Sequence, residues 1–259
     1  MRLIDLSRLS DSSLIQRLEF HQSLSSTNDR AAALANEEFL ACPALVLAAE
    51  QTAGRGRGGN RWWSSSGGLM FSLVLPRLET SSMPSWSGYS LTAGLAVCEA
   101  LTGHVPTADF SVKWPNDVYA GERKICGILI ESPAQARGRL IVGVGVNVNN
   151  SFQDAPEELQ STATAICDLA GGPLDLTIVL LSILIQLELR WQQLNAAGFA
   201  ALRDEWEARA LLTGRTLTLQ VGQARHVGRC LGIDDVGNLL LQTERGRQSF
   251  AAGSVVQFE

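Results

Sequence analysis

Paired cysteines, clustered histidines and long apolar runs are all missing from this sequence. The five cysteines, Cys42, Cys98, Cys126, Cys167 and Cys230, are odd in number and show no CxxC spacing, which excludes a secreted disulfide framework and leaves small buried thiols. The three histidines, His21, His104 and His226, lie far apart and nothing near them has metal-ligand spacing, so no metal centre and no histidine-based mechanism is expected. The longest apolar stretch, residues 178–185, is broken at Ser182 and falls short of the roughly 20 residues of a membrane span. Asp5 and Asp11 interrupt the first 20 residues, which do not read as a secretory signal, and a cytoplasmic location is expected. There is no Gly-Lys pair for a Walker loop and no GxSxG elbow. A net charge of −5 gives no general basic surface for nucleic acid or anionic membrane.

What is present is an ordinary globular composition, 46% hydrophobic and 18% charged in 259 residues, enough for a large domain with a small companion. Ser25-Ser26-Thr27-Asn28 supplies N-cap side chains to an alanine-rich helix reaching toward Leu40. Two strand-length runs, residues 44–50 and 69–75, flank a long glycine-rich loop. A helix is expected over 90–101, ending at Gly103, and then a sheet-rich centre. In its last strand, period two puts Val142, Val144, Val146 and Val148 on one face and Gly143, Gly145 and Asn147 on the other. The glycine face admits either a flat ligand or a close backbone crossing. Helices over 162–170, 176–194 and 199–210 follow, and from Thr213 five short runs have the spacing of a small antiparallel barrel.

Gly54-Arg55-Gly56-Arg57-Gly58-Gly59 matches GxGxxG, but no helix pattern follows and the dinucleotide reading fails. Arg55, Arg57 and Arg61 between glycines instead offer guanidinium forks and open backbone N–H groups to a carboxylate or phosphate, with Trp62 and Trp63 to shield it. An RNA-binding or merely solvated loop is the alternative for this motif alone. Lys113-Trp114-Pro115-Asn116-Asp117 sets a cation, a rigid turn and polar side chains at a strand end, and an intervening hairpin is expected to fold Lys124 back beside them; a well-capped turn with exposed strand-end lysines is the alternative for these residues alone.

These segments, followed by Lys124-Ile125-Cys126-Gly127 and Gly143-Val144-Gly145-Val146-Asn147, occur in an order that resembles the biotin protein ligase family, also called biotin–[acetyl-CoA-carboxylase] ligase. The resemblance implies an α+β fold, a mixed β-sheet flanked by helices as in class II aminoacyl-tRNA synthetases, over 1–212, with a small SH3-like β-barrel over 213–259. It implies that Ser26, Thr27, Asn28, Gln51, Gly54, Arg55, Gly56, Arg57, Lys124, Gly127 and Gly145 hold biotin. Arg57, Arg61, Trp62, Lys113, Asn116 and Asn147 would meet ATP or the adenylate, and Lys124, Arg57 and Asp117 would be catalytic. ATP with Mg²⁺ is implied as cosubstrate and a biotin carboxyl carrier domain as partner, with no nucleic acid and no membrane. The stretch before Leu24 has no room for a winged helix-turn-helix, so the form expected is the monofunctional ligase without the N-terminal DNA-binding domain. One departure is the order Gly58-Gly59-Asn60-Arg61-Trp62, which leaves open whether Arg61 replaces the family's loop arginine. The rival enzyme is a lipoate or octanoate ligase or transferase of the same fold, and the rival outside catalysis is a biotinyl-adenylate sensor.

Overall fold

The computed structural model describes residues 4–77, 85–136 and 138–259. In chain order the elements are α1 (Leu6–Ser10), β1 (Arg17–His21), α2 (Thr27–Ala35), β2 (Ala44–Ala48), β3 (Leu69–Pro76), α3 (Trp86–His104), β4 (Phe110–Lys113), β5 (Asp117–Ala120), β6 (Arg123–Glu131) and β7 (Arg139–Val146). Then come α4 (Glu157–Thr162), α5 (Ile166–Ala170), α6 (Leu176–Ala197), α7 (Arg203–Glu207) and five strands: β8 (Thr216–Val221), β9 (Ala224–Ile233), β10 (Leu239–Thr243), β11 (Gly246–Phe250) and β12 (Ser254–Phe258). The first seven strands form one sheet in the order β1-β2-β3-β7-β6-β5-β4. Only β1 and β2 run parallel within it. The last five form a separate antiparallel sheet, β11-β10-β9-β8-β12, of the SH3-like kind.

The two faces of the large sheet do different work. Val142, Val144 and Val146 turn toward α3 and α6 and join the main apolar core with Phe71, Leu73 and Ile128. On the opposite face α2 packs Ala31 and Leu34 against Val74 and Ile141, leaving the end of the face near Gly143 and Gly145 open for a site. That helix stops at Ala35 rather than near Leu40, because Arg139, far away in sequence, donates to the Ala35 and Glu37 carbonyls at 2.6 and 2.5 Å. The next helix starts earlier than the sequence suggests: Ser85 caps it by accepting from Gly88 N at 3.0 Å, and Gly103 lies inside it. The expected 162–170 helix is split, since Ala163 leaves helical geometry to bridge Lys124 and Thr164 N donates to the Lys124 carbonyl at 3.0 Å.

The edge strand β1 is tied to α2 by Glu19, which accepts from Arg30 Nε at 2.8 Å and Nη2 at 3.0 Å and from Arg17 at 3.1 Å. Arg30 above all, and then Arg17, hold its carboxyl down at about 2, against an ordinary value near 4.5. The folded value is the lower one, so this stabilisation is complete above about pH 5 and is lost as pH falls through 4.5 toward 2. Glu19→Gln is expected to cost about 1–2 kcal/mol at pH 7, allowing for solvent screening of Arg30, and nothing near pH 2. Urea melts of both proteins across that range check it; an equal gap at both ends contradicts it.

Candidate functional site

Three segments converge above the glycine face. The first is the start of α2, where Ser26 has extended geometry and makes no side-chain capping bond, although it sits at the N-cap. Thr27 follows: its backbone N–H donates to Gln51 Oε1 at 2.7 Å, and its hydroxyl lies 3.1 Å from the same oxygen. Asn28 points its amide into the wall, Nδ2 donating to Glu131 Oε2 at 2.7 Å and to the Leu129 carbonyl at 3.3 Å.

The second is the glycine-rich loop, which is anchored at several points. Arg55 pairs bidentately with Glu131 at 3.0 and 2.7 Å and also reaches Asp29 at 2.9 Å, so its fork faces protein carboxylates. Gly56 N donates to the Asn60 carbonyl at 2.7 Å. Arg57 is held by the Gly253 carbonyl at 2.6 Å, just before β12; burial works against its charge and Asp117 supports it. Arg61 is exposed and bridges Arg55 through the backbone. Trp62 then folds down onto the sheet, where a β-carbon at Gly145 would lie 2.5 Å from its indole and one at Gly127 2.9 Å. The bare face is therefore covered partly by the protein's own ring. Gly54 lies outside the cavity lining; its role is to pass under Trp62, whose carbonyl a β-carbon there would meet at 2.7 Å.

The third is the β4–β5–β6 hairpin, turning at the cis Trp114–Pro115 bond. Asn116 Nδ2 donates to the Ile128 carbonyl at 2.8 Å and fixes the turn against β6. Lys124 Nζ lies 2.6 Å from Asp117 Oδ1 and 5.8 Å from the centre of the Trp62 ring. A β-bulge puts it there: Asp117 pairs with Gly127 but Tyr119 with Lys124, three residues back. Regular alternation would aim Lys124 at the opposite face, and the extra residue turns it to the glycine side. Lys113 lies 3.3 Å from Tyr119 Oη and 4.8 Å from the ring centre of Phe258, and burial pushes its ammonium down from the usual lysine value. Trp114 is buried and donates to the Gly237 carbonyl, tying the turn to the C-terminal sheet.

Together these residues enclose a cavity of about 200 Å³, polar at Thr27 and Gln51, floored by Gly143 and Gly145, and cationic at Arg57, Lys113 and Lys124, with Ser254 and Val255 of β12 closing one side. Ser26, Asn28, Arg55, Gly56, Arg61, Trp62, Asn116, Asp117 and Gly127 also line it. Asn147 is the outlier. It lines an adjoining hollow beside Lys124 with Trp63, Phe152, Leu159 and Thr162. Trp63 and Phe152 face each other there at 5.6 Å. The sequence reading missed Phe152, Leu159 and the β12 residues, which carry no motif of their own. Among the described residues no group of three or more His, Cys, Asp or Glu is placed to hold a metal ion. The lining offers hydrogen-bonding groups to a polar ligand and cations to a carboxylate or phosphate.

Known proteins resemble this chain in sequence and in fold. Residues 20–149 match the model of the biotin/lipoate A/B protein ligase family, and residues 214–256 match that of the biotin protein ligase C-terminal domain. The chain is 37% identical to the biotin–[acetyl-CoA-carboxylase] ligase of Paracoccus denitrificans, over 89% of this chain and 96% of that protein. Identity to the bifunctional ligase/repressor BirA of Bacillus subtilis is also 37%, over 89% of this chain and 71% of the relative. In structure it is similar to the biotin protein ligase of Aquifex aeolicus in complex with biotin and ATP, with a TM-score of 0.81 at 31% identity over 95% of this chain and 99% of the other.

Proposed function

The chain belongs to the biotin/lipoate A/B protein ligase family, and from that premise we propose how its residues carry out the reaction. It is an ATP-dependent biotin–protein ligase: it activates biotin as biotinyl-5′-AMP and passes the biotinyl group to a lysine of its acceptor. We assign residues 1–212 to catalysis and 213–259 to an accessory unit that closes the site. The acceptor we propose is the carboxyl carrier domain of a biotin-dependent carboxylase, in the cytoplasm, with neither nucleic acid nor membrane taking part. Among the described residues no helix is long and apolar enough to cross a membrane.

The observation that carries this reading is one cavity lined both by the hydrogen-bonding pair Thr27 and Gln51 and by the cations Arg57, Lys113 and Lys124. Biotin's cyclic urea suits that pair, and its carboxylate, already ionised at neutral pH, meets the cations. A carboxylate oxygen forms a bond to the α-phosphorus of ATP while the bond to the bridging oxygen breaks and pyrophosphate leaves with that electron pair. No general base is needed. Lys124 and Arg57 meet the charge that builds on the α-phosphoryl oxygens, and Lys113 the leaving pyrophosphate. Asn147, Trp63 and Phe152 form the place for the adenine and ribose. Mg²⁺ fits here as an ion carried by ATP's phosphates, since Asp117 is the carboxylate that lines the cavity. In the second step the carrier's lysine amine attacks the acyl carbon, AMP departs, and Asp117 is placed to orient the amine and accept its proton.

Intact mass spectrometry of a carrier domain incubated with the protein, ATP, Mg²⁺ and either biotin or lipoate tests the assignment. One added biotinyl group and no lipoyl group is the expected outcome. Lipoylation alone would assign the chain to the lipoate branch, and an unmodified carrier with bound adenylate would favour a sensor.

A further inference from the structure

The Thr27 and Gln51 pair of the cavity rests on a buried chain of hydrogen bonds that reaches well past the residues lining it. Ser72, on β3, is fully buried; its Oγ lies 2.6 Å from Asn28 Oδ1 and 2.8 Å from Thr27 Oγ1. Beyond Asn28 stands Glu131, anchored in turn by Arg55. Ser72 and Glu131 are absent from the cavity lining. Gly143 pairs with Ser72 across the sheet, and a β-carbon on it would fall 1.9 Å from Asn28 Oδ1, so the network has the space that only glycine leaves.

Proton accounting along this chain gives each group one direction. The Asn28 group facing a carboxylate and a carbonyl must be the NH₂, so its Oδ1 faces Ser72 and takes the one Ser72 hydroxyl hydrogen. Thr27's hydroxyl lies 2.8 Å from Ser72 Oγ and 3.1 Å from Gln51 Oε1; with the Ser72 hydrogen spent on Asn28, Thr27 donates along the shorter contact, and its hydrogen stays inside the protein. Toward the cavity Thr27 Oγ1 then shows only lone pairs. Gln51 Oε1 is fixed by the Thr27 N–H, which leaves its NH₂ to donate.

We propose that Ser72 and Glu131, acting through Asn28, are positioning residues that hold Thr27 as an acceptor beside the Gln51 donor, and so make the cavity selective for the N–H groups of a cyclic urea. The inference rests on the reading of the site as a biotin site and extends it. A dithiolane or plain acyl chain brings no N–H to Thr27 and leaves that acceptor unpaired, a loss that hydrogen-bonding sites convert into strong rejection.

Titration calorimetry with biotin and with a biotin methylated on its urea nitrogens tests this on the intact protein, its Ser72→Ala variant and its Glu131→Ala variant. Ser72→Ala is expected to weaken biotin binding by about tenfold or more, the effect of one misdirected buried hydrogen bond, while the methylated ligand binds as it does to the unaltered protein. Glu131→Ala, altered at a partly exposed position, should shift the same ratio in the same direction, and Glu131→Gln, which keeps an acceptor for Asn28, should restore it. A merely structural role would weaken both ligands alike, and an unchanged ratio in both alanine variants overturns the proposal while leaving the function intact. Failure of the unaltered protein to bind biotin would remove the functional reading and this proposal with it.

Discussion

Lys124→Ala is expected to slow biotinyl-AMP formation by about 10²–10³, or ~2–4 kcal/mol, the usual effect of removing a charge that acts mainly on the transition state. Biotin affinity should change far less, because Thr27 and Gln51 are held to each other by bonds that do not involve Lys124, whose ammonium pairs with Asp117. The melting temperature should stay close to that of the unaltered protein, since this side chain is about one third exposed and its removal opens no hole in the apolar core. Single-turnover adenylate formation, with biotin binding measured separately, distinguishes these effects. A rate within about threefold of the unaltered protein would remove Lys124 from catalysis.

Gly145→Ala should be the next most damaging change, although it adds a single methyl group. The new carbon would lie 2.5–2.8 Å from three atoms of the Trp62 indole, so the ring has to lift from the sheet and carry its end of the glycine-rich loop with it. A loss of about 10–100-fold in kcat/KM for biotin is expected, in the range that overpacking costs. Val146→Ala, one residue away on the core-facing side of β7 and outside the cavity lining, gives the contrast. It should lower the melting temperature through a core cavity and leave the KM for biotin unchanged. Equal effects of the two variants on KM would mean that the faces are not divided as described.

Much of this was legible in the sequence because the informative residues impose their geometry locally. The Gly-Val alternation of β7 declared its two faces, and the valines do enter the core. Lys113-Trp114-Pro115-Asn116-Asp117 and Lys124 were close enough along the chain for a hairpin to join them, and Lys124 Nζ does meet Asp117. What could not be read depends on partners distant in sequence. The bulge that aims Lys124 is a property of strand pairing, and no residue type at Ile125 announces it. Ser72 reads as one polar residue in an apolar strand until Asn28 and Thr27 are seen against it. Arg55, expected to meet ligand, faces Glu131 and Asp29, and neither carboxylate belongs to a motif. The Arg139 that ends α2 lies about a hundred residues from it.

The central claim is that this one cavity joins biotin to AMP before any acceptor protein is present. Exchange of labelled pyrophosphate into ATP, in the presence of Mg²⁺ and without a carrier, measures that step alone. The structure predicts exchange that depends on biotin, is not supported by lipoate, and is lost in the Lys124→Ala variant. Exchange that proceeds without biotin, or equally with lipoate, would contradict it.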